Sequence, residues 1–314
     1  MSPASRRFLD LSSDPVAIRF ANRCIVLHWP NDHGRLPMHL PVDELESVVL
    51  SEPTITVSAA ALAQMVGAGV AVVLCDAKRL PVGMMVPLAG HFVHSERLRD
   101  QLAVKRPKAK RLWQTVVKAK LAAQSACLLE FTGDDSGLRV LARQVKSGDP
   151  DNREAVAAVR YWRQLMQPIE ARFRRDRDLP GINTLLNYGY AVVRASVARA
   201  VCAVGLHPAI GLQHKNRYNP FCLVDDVLEP FRPLVDAVVV RAHRAGLEID
   251  LEQPLTSEWK RRLLGTLTER YLAEDEKRTA LDWIQVTSQR LMRAISGKDP
   301  DWRIPILGAP EQDV

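Results

Sequence analysis

At 314 residues, with 47% hydrophobic and 25% charged residues, the chain has the make-up of a folded protein of one large or two ordinary domains, not of a disordered segment. Its longest apolar run, near residues 66–75, falls short of the ~18–20 residues of a membrane span, and residues 1–10 contain no hydrophobic signal core, so neither a membrane protein nor a secreted one is expected. A formal net charge of +7 leans toward a polyanionic partner, while five cysteines without a CxxC spacing exclude a zinc ribbon or disulfide framework and fit a reducing cytoplasm.

The N-terminal part reads as β-rich. Short runs with Val, Ile and aromatic residues at 17–20, 23–29, 47–50, 55–57 and 69–75 are separated by turn-forming residues at 14–15, 31–34 and 52–53. One helix is expected at 58–68, with Ser58 as its N-cap and Ala60, Leu62, Met65 and Val66 on one face. A turn at 78–83 leads into a last strand at 84–87. These elements predict an N-terminal β-rich domain over residues 1–88.

From Glu96 the apolar spacing becomes three and four residues. Helices are expected at 97–105, 111–131, 138–145, 153–165, 183–204, 227–245, 256–271 and 278–296, forming an all-α domain over 89–298. Residues 299–314, which contain Pro and Gly, read as a loosely packed tail. The resulting fold class is α+β, a small β domain followed by a larger all-helical one.

Between Gln101 and Leu129 the basic residues Lys105, Arg106, Lys108, Lys110, Arg111, Lys118 and Lys120 occur without an acidic partner, and Trp113 lies among them. Exposed helices ordinarily mix signs, so this run reads equally as a solvated face or as a track for a phosphate backbone. The arginines at 172–177 are interrupted by Asp176 and are a weaker signal.

The chemistry-bearing residues gather later. His207 and His214 flank an apolar stretch, and Asp225, Asp226 and Glu229 follow closely. Asp226 and Glu229, three apart, would share a helix face. Carboxylates in apolar surroundings need a cation, either an arginine or a metal. Carboxylates and imidazole without thiolate suit Mg2+ or Mn2+, which can neutralise a phosphodiester oxygen. Glu154, near the start of the 153–165 helix and followed by Ala155, Ala157 and Ala158, is a candidate further ligand. Each residue has a plainer reading: Glu154 as a helix-dipole partner, His214 as a lone histidine, Asp226 as a cap, Glu229 as a partner of Arg232, Asp225 in solvent or capping, and His207 as a rival to His214.

The segments Gly181–Tyr190, Gly205–His214, His214–Phe221 and Asp226-Val227-Leu228-Glu229-Pro230-Phe231-Arg232-Pro233 resemble the CRISPR-associated spacer-acquisition integrase, the larger of the two proteins shared by most CRISPR adaptation systems. Residues 57–62, 69–76 and 81–83 add a weaker match, so the resemblance runs in order from about residue 8 to residue 290. The resemblance is to the type II branch, which has Glu where Glu229 stands; many other branches have Asp there. Ala155 stands where many members have Gly.

The resemblance implies an N-terminal β-sandwich and a helical catalytic domain. It implies a metal-dependent DNA endonuclease and integrase, in which the 3′-hydroxyls of a prespacer duplex attack phosphodiesters at the edges of the CRISPR repeat. By motif position, Glu154, His214 and Glu229 become the metal ligands for Mg2+ or Mn2+, with Asp226 a secondary catalytic acid or orienting group. Lys105, Lys108, Lys110, Arg111 and Lys118 become the DNA track. Expected partners are a second copy of the chain, a small ferredoxin-like adaptation subunit in a heterohexamer, and the type II effector nuclease. Two competing readings are a metal-dependent nuclease of branched DNA that never integrates and a non-catalytic DNA-binding scaffold.

Overall fold

The computed structural model describes all residues except 1–6, 13, 33, 78–80, 88–89, 251–254, 300–301 and 311–314. The strands are β1 (Arg7–Leu11), β2 (Ala17–Ala21), β3 (Cys24–His28), β4 (Met38–Pro41), β5 (Leu45–Leu50), β6 (Thr56–Val57), β7 (Ala71–Cys75) and β8 (Pro81–Met85). They form two four-stranded sheets, ordered β1-β5-β7-β8 and β4-β3-β2-β6. Helix α1 (Ala59–Gly67) connects them, and its expected cap is present: the Ser58 side chain accepts from the Ala61 N–H.

One core fills the space between the sheets. Leu11, Leu45, Val48 and Val72 from the first sheet meet Ile18, Ile25, Leu27 and Leu40 from the second, with Ala61 and Met65 of α1. The alternate residues Val49, Ala71 and Val73 face the other way and pack on Ala195 of the helical domain. Strands covered on both faces are largely apolar, which explains the runs Val48–Leu50 in β5 and Ala71–Cys75 in β7. The β1 and β4 strands escape the sequence reading. Both lie at sheet edges, and β4 ends in Pro41, which an edge tolerates. Of the turn expected at 78–83, residues 78–80 fall outside the described residues, as does His33 of the 31–34 turn, while residues 81–83 are not turn but the start of β8, so the last strand spans Pro81–Met85 rather than 84–87.

The second domain contains α2 (His94–Leu102), α3 (Arg106–Thr132), α4 (Leu138–Gln144), α5 (Arg153–Met166), α6 (Ile182–Ala203), α7 (Cys222–Leu228), α8 (Arg232–Arg244), α9 (Ser257–Gly265) and α10 (Ala280–Ile295). Helix α6 is buried nearly all round, as its apolar composition requires of a central helix. At Gly189 a β-carbon would lie 2.4 Å from Val235 Cγ1, so glycine is what lets α6 and α8 approach this closely.

Three expectations are corrected. The single helix at 227–245 is instead α7, a 3-10 turn at Glu229–Phe231 and α8, with Pro230 and Pro233 marking the change. The helix at 256–271 ends at Gly265, and β9 (Arg270–Ala273) pairs with β10 (Glu276–Thr279) in a hairpin before α10. The tail is not loose where it is described: Trp302, Ile304 and Leu307 join the helical core. Among the described residues no helix is long and apolar enough to cross a membrane.

Candidate active site

The segment that follows α6 is shaped by side chains from two other elements. Gln101 of α2 donates to the carbonyls of His207 and Ile210 and accepts from the His207 N–H at 2.9 Å. Asp226, fully buried on α7, accepts from the backbone N–H groups of Leu212 (2.5 Å), Gln213 (3.1 Å) and His214 (3.3 Å). A β-carbon at Gly211 would meet the His214 carbonyl oxygen at 2.5 Å and Asp226 Oδ2 at 2.9 Å, so this turn closes over the carboxylate only with glycine. Asp226 is therefore no cap of its own helix; it fastens the loop that carries His214.

The same carboxylate holds the imidazole, with His214 Nδ1 2.7 Å from Asp226 Oδ1. That hydrogen bond, and then the charges of Asp226, Glu229 and Asp225, raise the His214 pKa above its ordinary value against the opposing effect of burial. The Trp113 ring meets the imidazole edge-on, 5.7 Å between centroids. With Nδ1 committed to a carboxylate, Nε2 is the ring nitrogen left for an ion or a proton.

Glu154 reaches the site from the first turn of α5. Asp149, not Glu154, caps this helix, accepting from the N–H groups of Arg153 (2.9 Å) and Glu154 (3.0 Å). The Glu154 side chain is thus released from the helix terminus and turns to Lys120 of α3, where Oε1 lies 2.6 Å from Nζ. The same ammonium is 2.6 Å from Glu229 Oε2, and Arg232 Nε is 3.0 Å from Glu229 Oε1. Burial alone would raise the Glu229 pKa, but Arg232, Lys120 and His214 outweigh it and hold the carboxyl at about 2. For Lys120, burial favours the neutral amine, yet Glu229 and Glu154 raise its pKa and keep it charged. The Lys120–Glu229 contact is an ion pair without an aligned hydrogen bond, so buried Oε2 is neutralised but has no donor pointed at it.

The sequence-named residues thus form two adjoining groups: Glu154 with Glu229 through Lys120, and His214 with Asp226. Among the described residues no three His, Cys, Asp or Glu side chains form a preformed metal cluster. The donor set nevertheless fits a hard divalent ion. Two carboxylates already share one cationic centre, and Oε2 of Glu229 lacks an aligned donor.

Several plainer readings are settled by geometry. Glu229 does pair with Arg232. Asp225 is not left to solvent: Arg194 binds it at 2.6 and 3.1 Å and Asn219 at 2.6 Å. His207 Nδ1 accepts from Ala209 within its own turn. The residue of this group that sequence reasoning does not single out is Lys120, which falls within the basic run. Its spacing was the available signal, since it follows buried Val116 by four residues and lies across the helix from exposed Lys118.

Of the expected DNA track, Lys105, Lys110, Arg111 and Lys118 are exposed, whereas Lys108 donates to the Ile295 carbonyl at 2.9 Å. Clefts run along this helix. One of about 670 Å³ is lined by Lys108, Arg111 and Arg303, and another of about 690 Å³ by Arg106, Lys110 and Lys215 beside the His214 loop. A third cleft, about 390 Å³, is lined by Arg175, Arg177, Arg194 and Arg232, the last of which pairs with Glu229.

Comparison with known proteins places the fold and the family. The family described as CRISPR associated protein Cas1 matches residues 11–250. The CRISPR-associated endonuclease Cas1 of Neisseria meningitidis serogroup C (strain 8013) is 36% identical over 73% of this chain and 73% of its own length. A casposase solved bound to its integration product has the same fold, with a TM-score of 0.75 at 19% identity over 95% of this chain and 93% of that one. The fold also recurs in a Cas6-RT-Cas1–Cas2 complex, with a TM-score of 0.76 at 18% identity over 96% of this chain and 36% of the larger one. On the extent of these matches, the chain belongs to the Cas1 family of CRISPR-associated endonucleases.

Proposed function

We propose that this chain is a metal-dependent DNA strand-transfer enzyme that joins prespacer 3′-hydroxyls to phosphodiesters at the edges of a CRISPR repeat. The observation that carries this reading is the convergence of Glu154 and Glu229, from separate elements, on one cationic centre 2.6 Å from each, beside an imidazole oriented by a buried aspartate. When bound, Mg2+ or Mn2+ would be held by Glu154, Glu229 and His214 and would neutralise charge on the phosphate undergoing attack. Asp226 fixes the ring so that Nε2 presents its lone pair. Arg232 and Lys120 keep Glu229 ionised at every physiological pH. Such a reaction depends on positioning and charge neutralisation rather than on a covalent protein intermediate.

Exposed Lys105, Lys110, Arg111 and Lys118, with Lys108 and the arginine-lined cleft that includes Arg232, supply the DNA contacts. The casposase bound to an integration product and the assembly containing Cas2 support DNA and a small adaptation subunit as partners. A homodimer within a heterohexamer, and association with a type II effector nuclease, extend that reading. Glu229 at the last acidic position supports the type II branch. Five free thiols agree with action in the reducing cytoplasm.

The test is incubation of the chain and its small partner with a labelled prespacer duplex and a plasmid bearing a repeat array. Covalent transfer of label is expected, and it should vanish in Glu154→Ala and His214→Ala while DNA binding survives. Release of fragments without transfer would make the protein a plain nuclease. Undiminished transfer in both variants would remove the site.

A further inference from the structure

We propose that Lys120 is a resident counter-cation of the active site: its ammonium holds Glu154 and Glu229 at ion-binding spacing and is exchanged when a divalent ion binds. This rests on the metal-dependent reading above and goes beyond it by assigning a lysine that no ligand motif contains.

Within the Glu154–Glu229 group the charges sum to zero. Two carboxylates, Glu154 and Glu229, are matched by two cations, Lys120 and Arg232. A half-buried carboxylate pair without a cation would repel and splay, so a compensating charge is needed whenever no metal is present. Lys120 supplies it from the buried face of α3, between Val116, Val117 and Leu121, where its Nζ can reach both acids.

The two cations are not equivalent. Arg232 bonds the other oxygen of Glu229, Oε1, and its guanidinium lies 4.7 Å from the centre of the Tyr190 ring, so a rigid fork is fixed on both sides. Lys120 instead bridges the two acids, its Nζ 2.6 Å from Oε1 of Glu154 and 2.6 Å from Oε2 of Glu229. A hard divalent ion needs those same oxygens, at about 2.0–2.2 Å for Mg2+, and cannot share them with an ammonium that repels it. The flexible four-carbon stem of lysine allows withdrawal where an arginine fork would resist. Lys120 thus keeps the carboxylates preorganised and at the same time weakens ion affinity by competing for them.

The test is a calorimetric titration of Mn2+ into the chelator-stripped full chain. Wild type should bind the ion, and Glu154→Gln should lose that binding. Lys120→Met, which removes the competing charge, should bind Mn2+ about 10-fold tighter or better, while its melting temperature in chelator falls below that of wild type. Affinity equal to or weaker than wild type in Lys120→Met overturns the exchange. A second measurement needs no variant: trace acetylation of wild-type Lys120, followed by mass spectrometry, should accelerate several-fold at saturating Mg2+. An unchanged or slower rate overturns the exchange even if Lys120→Met fails to fold. Absence of any Mn2+ binding by wild type would instead remove the metal-dependent reading beneath it.

Discussion

Two buried carboxylates seven residues apart, Glu229 and Asp236, respond to burial in opposite ways. Asp236 of α8 accepts hydrogen bonds from the hydroxyls of Tyr161 (2.7 Å) and Tyr190, both neutral. Burial outweighs these donors and the more distant Arg175 and Arg232, and pushes its pKa up to about 6. Glu229 is as deeply enclosed, but two cations touch it, and its pKa falls to about 2. Burial therefore does not say what a carboxylate is for; the charge of its neighbours does. A group kept ionised at such a cost in desolvation is built to face a cation, whereas one with only neutral donors fastens helices together.

Substitution should break this comparison first at the level of activity. Glu229→Gln preserves shape and removes the charge, and strand joining should fall by about 10³-fold or more, as when a key electrostatic group is lost from an active site. Asp236→Asn should leave joining at pH 7.5 within a few-fold of wild type. Measured side by side with labelled DNA, equal losses in the two variants would show that Asp236 belongs to the chemistry.

The second test concerns stability against pH. Asp236 has a folded pKa of about 6 against an ordinary 3.8, so the folded state holds a proton that the unfolded chain has released between those values. Its contribution is fully present below pH 3.8 and is lost as pH rises through 6. Glu229 runs the other way, contributing above pH 4.5 and losing that contribution as pH falls toward 2. In urea unfolding from pH 4 to 7, the stability of wild type relative to Asp236→Asn should fall by about 2 kcal/mol. A flat difference would mean that Asp236 does not titrate in this window.

Much of this was legible in the sequence, and the failures have physical causes. Strands β5 and β7 were clear because both faces are buried, and α6 because apolar residues surround it. The β9–β10 hairpin was hidden because its turn uses Glu274 and Asp275 at φ 52° and 63°, positions where glycine or asparagine would have signalled a turn. The 302–307 segment was hidden because Pro and Gly suggested looseness, while Trp302 and Ile304 alternate inward. At the site, the acids and His214 could be named from motif and chemistry. Their pairing could not, because the cation that joins Glu154 to Glu229 comes from a helix whose basic residues all look alike along the chain. Helical spacing separates Lys120 from Lys118, but only the fold shows which acids lie over the Lys120 face.

That separation sets the smallest expected effect. Exposed Lys110 and Arg111 can each release counterions on meeting a phosphate, so Lys110→Gln and Arg111→Gln should each reduce the slope of log affinity against log salt by about 1. Lys108 is partly covered and already donates to the Ile295 carbonyl, which leaves its ammonium less available. Lys108→Gln should therefore change the slope by clearly less than either exposed variant in fluorescence-anisotropy titrations at several salt concentrations. Equal changes at all three positions would mean that DNA draws Lys108 away from Ile295, and the track would then include the buried edge of α3 as well as its exposed face.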